Sequence, residues 1–312
     1  MTLTEYKDAA DKYIAFLPSS KADSERTRVN YARVLTDFEN YLKAHTNGNE
    51  ISTVDVLGYR QAIRDRGASQ NTARQYLTDL SAFFNWCVRV KICAESIVQI
   101  DDIPELTEIE YTLLERREID KILAYRPRKE TVLGARNRAI VTILLQAGLR
   151  NSELRALTLG DLDFKACTIT VRHGKGNKSR TAPFPALSRD AVTEYLKSGT
   201  RPKDAGDNAL LFGTYANENG RSNGENAREW HEIGSNAIND IVKRYVKKLT
   251  GKEVHAHTLR HAAASLWDDL NVPMRTIQQG LGHNSIRTTE RIYVTVLNKH
   301  KAAMDLTAAF GG

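Results

Sequence analysis

Gln146-Ala147-Gly148-Leu149-Arg150-Asn151-Ser152-Glu153-Leu154 is the stretch on which this chain turns. Apolar residues recur with helical spacing from Arg136 to Ala147, Gly148 is a natural helix stop, and Glu153-Leu154-Arg155-Ala156-Leu157 begins another turn. Arg150 is therefore expected at a tight helix-to-helix junction, where a side chain is held rigidly. More than a hundred residues later, His257-Thr258-Leu259-Arg260-His261 supplies a second arginine. The spacing of three puts His257 and Arg260 on one face of a helix. Leu281-Gly282-His283 follows, with Tyr293 ten residues beyond His283. Arginine presents a planar, permanently charged fork that matches two phosphate oxygens at once, histidine moves protons near neutral pH, and a tyrosine hydroxyl can serve as a covalent nucleophile. Together these residue types read as a device for attacking a phosphodiester without a metal.

Outward from that stretch, the pattern is mostly helical. Tyr31, Val34, Leu35, Phe38, Tyr41 and Leu42 recur at steps of three and four after the cap candidate Ser24. Tyr76, Leu77, Leu80, Phe83, Phe84 and Cys87 repeat the pattern, opened by Ser69 or Asn71 after Gly67. Helices near 3–17 and 53–65 complete a four-helix bundle, and the aromatics on its stripes are read as core rather than as base-stacking residues. Ile100-Asp101-Asp102-Ile103-Pro104-Glu105-Leu106 breaks the pattern and reads as a linker. Helices are expected near 116–124, 136–147, 188–198, 234–250, 258–270, 273–281 and 286–297. Ala166 to Val171 alternates and is β-branched, so it is expected to be a strand; Gly174-Lys175-Gly176-Asn177 turns, and Arg180-Thr181-Ala182-Pro183-Phe184 returns as an edge partner. The polar run from Gly213 to Glu232 is expected to be a long mobile loop.

The chain has 312 residues, 41% hydrophobic and 27% charged, enough for two domains with separate cores. No apolar run is long enough to span a bilayer and the first residues are too polar for a secretory signal, so an intracellular, cytoplasmic location with no membrane contact is expected. Cys87, Cys93 and Cys167 have no metal-ligand spacing and are read as reduced thiols packed as small apolar residues. The formal charge of +7 is unevenly divided. Residues 1–105 carry 13 Lys and Arg against 15 Asp and Glu, whereas residues 106–312 carry 32 against 23. The basic surplus thus travels with the arginine stretches, as suits a polyanion partner. In the first half only a local face could grip DNA: Arg26, Arg28 and Arg33 on one helix and Arg74 on another, with an ordinary solvated helix surface as the alternative.

These stretches, with Gly174-Lys175-Gly176-Asn177-Lys178-Ser179-Arg180 and Leu281 through Tyr293, resemble the tyrosine recombinase (phage integrase) family, of the Xer-like or mobile-element integrase kind. The resemblance implies a mainly α fold. It comprises an N-terminal four-helix (SAM-like) core-binding domain that clamps DNA over residues 1–100, a linker over 101–113, and a catalytic domain with a C-terminal tail over 114–312. That last domain is mixed α/β, mostly helical, with a small antiparallel sheet.

It also implies the chemistry. A tyrosine oxygen attacks a DNA phosphorus in line, leaving a 3′-phosphotyrosine and expelling a 5′-hydroxyl, and strand exchange passes through a Holliday junction with neither metal nor ATP nor any other cofactor. Tyr293 matches the nucleophile, although it could simply pack on a helix face beside Ile292. Arg150 and Arg260 match the pair on the non-bridging oxygens; a plain salt bridge from Arg150 to Glu153 is compatible, because the family has a supporting acidic residue there. Lys175 matches the lysine that protonates the departing oxygen, with Lys178 nearby as the lesser alternative. His257 matches the residue that manages the tyrosine proton, and His283 a donor to a non-bridging oxygen. Lys178 and Arg180 are further candidates for DNA contact. Three histidines, His255, His257 and His261, invite a metal reading, but they lack the two-His-plus-Glu pattern of zinc hydrolases, so no metal is expected. Where the family often has a histidine two residues beyond the tyrosine, this chain has Thr295. The implied partner is double-stranded DNA with inverted half-sites, bound by a homotetramer or a tetramer with a related recombinase. The apolar tail from Val294 to Phe310 would dock on a neighbouring protomer or fold back on its own domain. Relaxation of the type IB topoisomerase kind and a non-catalytic DNA-binding regulator are the competing readings.

Overall fold

A computed structural model describes residues 1–17, 25–46, 50–107, 112–129, 131–172, 179–199, 201–202, 205–216 and 229–282. The chain divides into two compact units, residues 1–110 and 111–312.

In the first unit four helices form because each has a polar start and an apolar stripe: α1 (Leu3–Phe16), α2 (Glu25–His45), α3 (Thr53–Asp65) and α4 (Gln70–Arg89). Thr2 and Glu5 close a reciprocal cap on α1, with the Thr2 hydroxyl accepting from the Glu5 amide and the Glu5 carboxylate accepting from the Thr2 amide at 2.7 Å. Ser69 opens α4 by accepting from the Thr72 amide at 3.1 Å. The expected cap Ser24 of α2 lies outside the described residues. The stripes meet in an aromatic core where Tyr6 stands edge-on to Phe38 and Phe83, and its hydroxyl donates to the Leu35 carbonyl at 3.0 Å. After α4, Ile100–Asp102 makes a single 3-10 turn. The chain then lies along the start of α4, where Gln70, Asn71 and Arg74 donate to the carbonyls of Glu105, Thr107 and Pro104.

The second unit is built around α6 (Val132–Ala147), which begins four residues earlier than expected because Thr131 accepts from the Gly134 amide at 3.0 Å. Ala139 through Leu145 are all buried, so α6 is apolar nearly all round, as a central helix must be. It packs against α8 (Ala186–Lys197) and α10 (Ala256–Asp269). Around it lie α5 (Arg116–Ala124), the short α7 (Asn151–Arg155), α9 (Ser235–Thr250) and α11 (Met274–Leu281). An antiparallel sheet runs in the order β1 (Leu162–Asp163), β2 (Thr168–Val171), β3 (Arg180–Pro183), with Ile169 opposite Ala182 and Val171 opposite Arg180. Pro183 is on the outer strand, where a missing N–H costs no ladder bond.

Two expectations are corrected. The stretch 213–232 is not one long loop: β4 (Gly213–Ala216) and β5 (Glu229–Glu232) pair antiparallel, and residues 217–228 between them lie outside the described part. The cause is an aromatic cross-strand pair, Tyr215 opposite Trp230 with ring centres 5.2 Å apart, and Trp230 is fixed by donation to the Leu210 carbonyl at 3.1 Å. Cys87 is buried as expected, but Cys167 is half-exposed in the turn before β2 with φ of 59°. The helix expected over 286–297 lies outside the described residues. No described helix is long and apolar enough to cross a membrane.

Candidate active site

Gly148 ends α6 in the left-handed conformation at φ 60°, where a side chain would be strained and where a Cβ would stand 2.6 Å from Leu281 Cδ2. The chain reverses there, Leu149 is buried, and Arg150 becomes the extended residue that starts α7. Glu153, one turn on, caps that start. Its Oε2 accepts from the Arg150 amide at 2.8 Å, and its Oε1 accepts from Arg150 Nη1 at 2.6 Å. The junction expected at Arg150 is therefore present, held by a residue of the same motif.

Two further arginines converge on the same carboxylate. Arg180, at the start of β3, donates from Nη2 to Glu153 Oε2 at 2.7 Å. Arg260 on α10 brings Nη1 to 3.8 Å from that oxygen. The end of α11 completes the group, because each arginine donates to one of its last carbonyls: Arg180 to Gly280, Arg260 to Leu281, and Arg150 to Gly282, the last at 2.6 Å. Arg260 also donates to the Gly148 carbonyl. Gly282, at φ 67°, admits this packing because a Cβ there would stand 2.7 Å from Arg180 Cδ.

The electrostatics follow from three guanidinium groups around one carboxylate. Glu153 is only 6% exposed, and burial alone would raise its pKa. The Arg180 charge, the Arg150 amide and the Arg150 guanidinium nevertheless hold it below the usual carboxylate value. Arg260 is 2% exposed, and its pKa falls to about 9 through burial first and the Arg150 charge next, against the pull of Glu153. Burial likewise lowers Arg180. These four side chains hold more positive than negative charge out of water, a situation that an anion relieves. His257 is an exposed residue of α10 whose ring stands edge-on to that of His261, ring centres 4.3 Å apart. Partial burial, then Arg260 and Arg150, lower its pKa below that of free imidazole, so it is neutral at pH 7.

Of the residues singled out from sequence, the structure gathers Arg150, Glu153 and Arg260 and sets His257 on the same helix as Arg260. Lys175, Lys178, His283 and Tyr293 lie outside the described residues, as does the tail from Val294. Arg180, expected as a DNA contact, is committed to Glu153 and Gly280. The signal for its placement was strand alternation. It shares a face of β3 with the buried Ala182, and a charge on an inner face demands a buried partner. In the first unit Arg28 donates to the Ile14 carbonyl at 3.3 Å, Arg33 to the Tyr76 hydroxyl at 2.8 Å, and Arg74 to Pro104; the Arg26 side chain is outside the described part. Among the described residues no three His, Cys, Asp or Glu side chains gather as a metal site.

The chain is similar in sequence and in fold to known proteins. The phage integrase family pattern matches residues 112–300, and the pattern of the phage integrase N-terminal SAM-like domain matches residues 10–91. Tyrosine recombinase XerC of Lacticaseibacillus casei (strain BL23) is 28% identical over 293 residues, 91% of this chain and 93% of that protein. XerC of Bacillus subtilis (strain 168) is 26% identical over 298 residues, covering 93% and 92%. Among solved structures, the Tn1549 transposon integrase in complex with transposon right end DNA superimposes with a TM-score of 0.70 at 18% identity, covering 99% of this chain and 100% of that one. The XerH site-specific recombinase bound to palindromic difH substrate gives 0.67 at 22% identity over 89% and 79%. Both structures share the mainly α fold. With the family pattern spanning well over half its length, the chain belongs to the phage integrase family and is a site-specific tyrosine recombinase.

Proposed function

We propose that this recombinase cleaves and rejoins double-stranded DNA with Arg150, Arg260, His257, His283, Lys175 and Tyr293 as its catalytic residues and Glu153 as their support. The carrying observation is the cluster of guanidinium groups around Glu153, whose surplus charge suits a phosphoryl group that becomes more negative as it is attacked. The Tyr293 oxygen forms a bond to phosphorus as its proton passes to neutral His257. The bond from phosphorus to the 5′-oxygen breaks, and Lys175 supplies the proton that makes the departing group a 5′-hydroxyl. Arg150 and Arg260 hold the non-bridging oxygens through the transition state, aided by His283. The energy of the broken ester is kept in the 3′-phosphotyrosine, so a second 5′-hydroxyl reverses the step without ATP, and exchange of two strand pairs passes through a Holliday junction.

In this reading residues 1–100 clamp DNA, 101–113 link, and 114–312 catalyse. The partner is DNA with inverted half-sites, held by a homotetramer or a tetramer with a related recombinase through the tail from Val294, in the cytoplasm at the nucleoid. The XerH and Tn1549 structures are complexes with DNA, which supports DNA as the partner. Lys178 and the exposed Arg28 and Arg33 remain the DNA contacts to test, together with Arg26 and Arg74.

The test is covalent capture. A pool of nicked duplexes with randomised cores is incubated with the protein, and the duplex that becomes protein-linked is recovered and used as the substrate. Wild type should shift on a denaturing gel with chelator present, whereas Tyr293→Phe should bind the same duplex and give no shift. A shift by Tyr293→Phe equal to wild type would remove Tyr293 from the role. Binding without a covalent product for wild type would favour the regulator.

A further inference from the structure

Arg150 makes two side-chain hydrogen bonds, to Glu153 Oε1 and to the Gly282 carbonyl. Both acceptors are braced by one other residue. Arg180 Nη2 holds the second oxygen of Glu153 at 2.7 Å, and Arg180 Nη1 holds the carbonyl of Gly280, in the same turn as Gly282. Exposure grades the three arginines: the Arg150 side chain is 27% exposed, Arg180 11% and Arg260 2%. Arg150 is thus the guanidinium that reaches outward, and Arg180 stands behind it.

We infer that Arg180 is a positioning residue for Arg150. It fixes the carboxylate and the helix end on which the Arg150 guanidinium rests, so that Arg150 faces the scissile phosphate in one orientation. The reason is geometric. Glu153 meets Arg150 through both oxygens, Oε1 on the guanidinium and Oε2 on the amide, but both bonds lie within one turn of α7; Arg180 adds a charged donor on Oε2 from β3 and so ties that turn to a distant strand. The fork of Arg180 spans Glu153 and Gly280 together, which a lysine ammonium on a flexible stem cannot do with the same geometry. The bare Gly282 fits the scheme, since a Cβ there would press on Arg180, 2.7 Å from its Cδ, while only touching Arg150 Nη1 at 3.5 Å. Arg180 in this role touches no substrate. The inference rests on the reading of Arg150 as a phosphate-binding residue.

The experiment is a double-mutant cycle on the captured nicked duplex, with single-turnover rates of covalent product and equilibrium affinity measured for wild type, Arg180→Gln, Arg180→Lys, Arg150→Lys and the double variant Arg150→Lys/Arg180→Gln. A displacement of a catalytic group by about 1 Å lowers rates about 10²-fold, which is the loss expected for Arg180→Gln at unchanged affinity. Arg180→Lys should recover part of that rate. The double variant should be no slower than Arg150→Lys beyond about twofold, because a brace is worthless once the braced group is altered. Full additivity of the two losses would overturn the inference, as would an unimpaired Arg180→Gln or a loss confined to DNA affinity. A wild-type rate in Arg150→Lys would instead overturn the phosphate role of Arg150. Melting temperatures control for folding, and if Arg180→Gln does not fold, the cycle is run with Arg180→Lys under the same criterion.

Discussion

Neutral His257 beside two guanidinium groups has a consequence for pH. Its pKa lies below the ordinary imidazole value, through partial burial first and then the charges of Arg260 and Arg150. Between that lowered value and about 6.5 the unfolded chain binds the proton more readily than the folded one. This contribution to stability is therefore whole above about pH 6.5 and is lost as pH falls toward and through the folded value. The same shift keeps the ring able to accept a proton in mildly acidic solution. Initial rates of covalent capture should accordingly hold up below pH 6.5 in wild type and fall only in more acid solution, while His257→Gln should be about 10²-fold slower and lack that acid fall. An acid limb unchanged in His257→Gln would assign the proton elsewhere. At this scale the sequence announced Arg150, Glu153, His257 and Arg260, because each sits in a short local motif. Arg180 was harder to read. Its partners Glu153 and Gly280 are 27 and 100 residues away, and nothing in a lone strand of four residues says which distant groups its inner face meets.

Among the elements, the junction between α6 and α7 carries the most consequence. Gly148→Ala would impose a side chain on a left-handed residue, at about 1–2 kcal/mol, and would drive its Cβ against Leu281 of α11. A loss of stability of at least that size is expected in denaturant unfolding, together with slower capture, since Arg150 and the end of α11 both shift. A variant as stable as wild type would show that α11 yields cheaply. The helices were legible because their apolar period is local and repeated over many residues: Phe38, Leu42, Leu77 and Phe83 are all buried where the stripe puts them. The β1 strand was not, because Leu162–Asp163 is too short to alternate. The β4–β5 pair was hidden for a different reason: its pairing depends on Tyr215 meeting Trp230 across fifteen residues of chain, and the Gly, Asn and Ser between them read as loop.

For the whole molecule, charge separates the two halves of the sequence: residues 106–312 carry the basic excess, while 1–105 are slightly acidic. If the second unit supplies most phosphate contacts, its affinity for DNA should depend on salt nearly as steeply as that of the full chain. With several neutralised phosphates, binding should fall about 10³-fold or more between roughly 50 and 200 mM salt, measured by fluorescence anisotropy on the captured duplex. A flat salt response of residues 111–312 would move the DNA grip to the first unit. Each unit has its own buried core, so dividing the chain at residue 110 is a physical way to ask the question. The separation of two cores was foreshadowed by Pro104 and the broken period around it; the 3-10 turn and the side-chain ties from α4 were not, being details of packing.

The end of α11 is tethered at three successive carbonyls by side chains from widely spaced parts of the chain. A helix tip secured this way behaves as a fixed mooring. Engineering that aims to change how far the following segment reaches should leave Met274–Leu281 untouched and vary length or stiffness beyond Gly282, because a lengthened α11 would carry the mooring away from all three arginines at once.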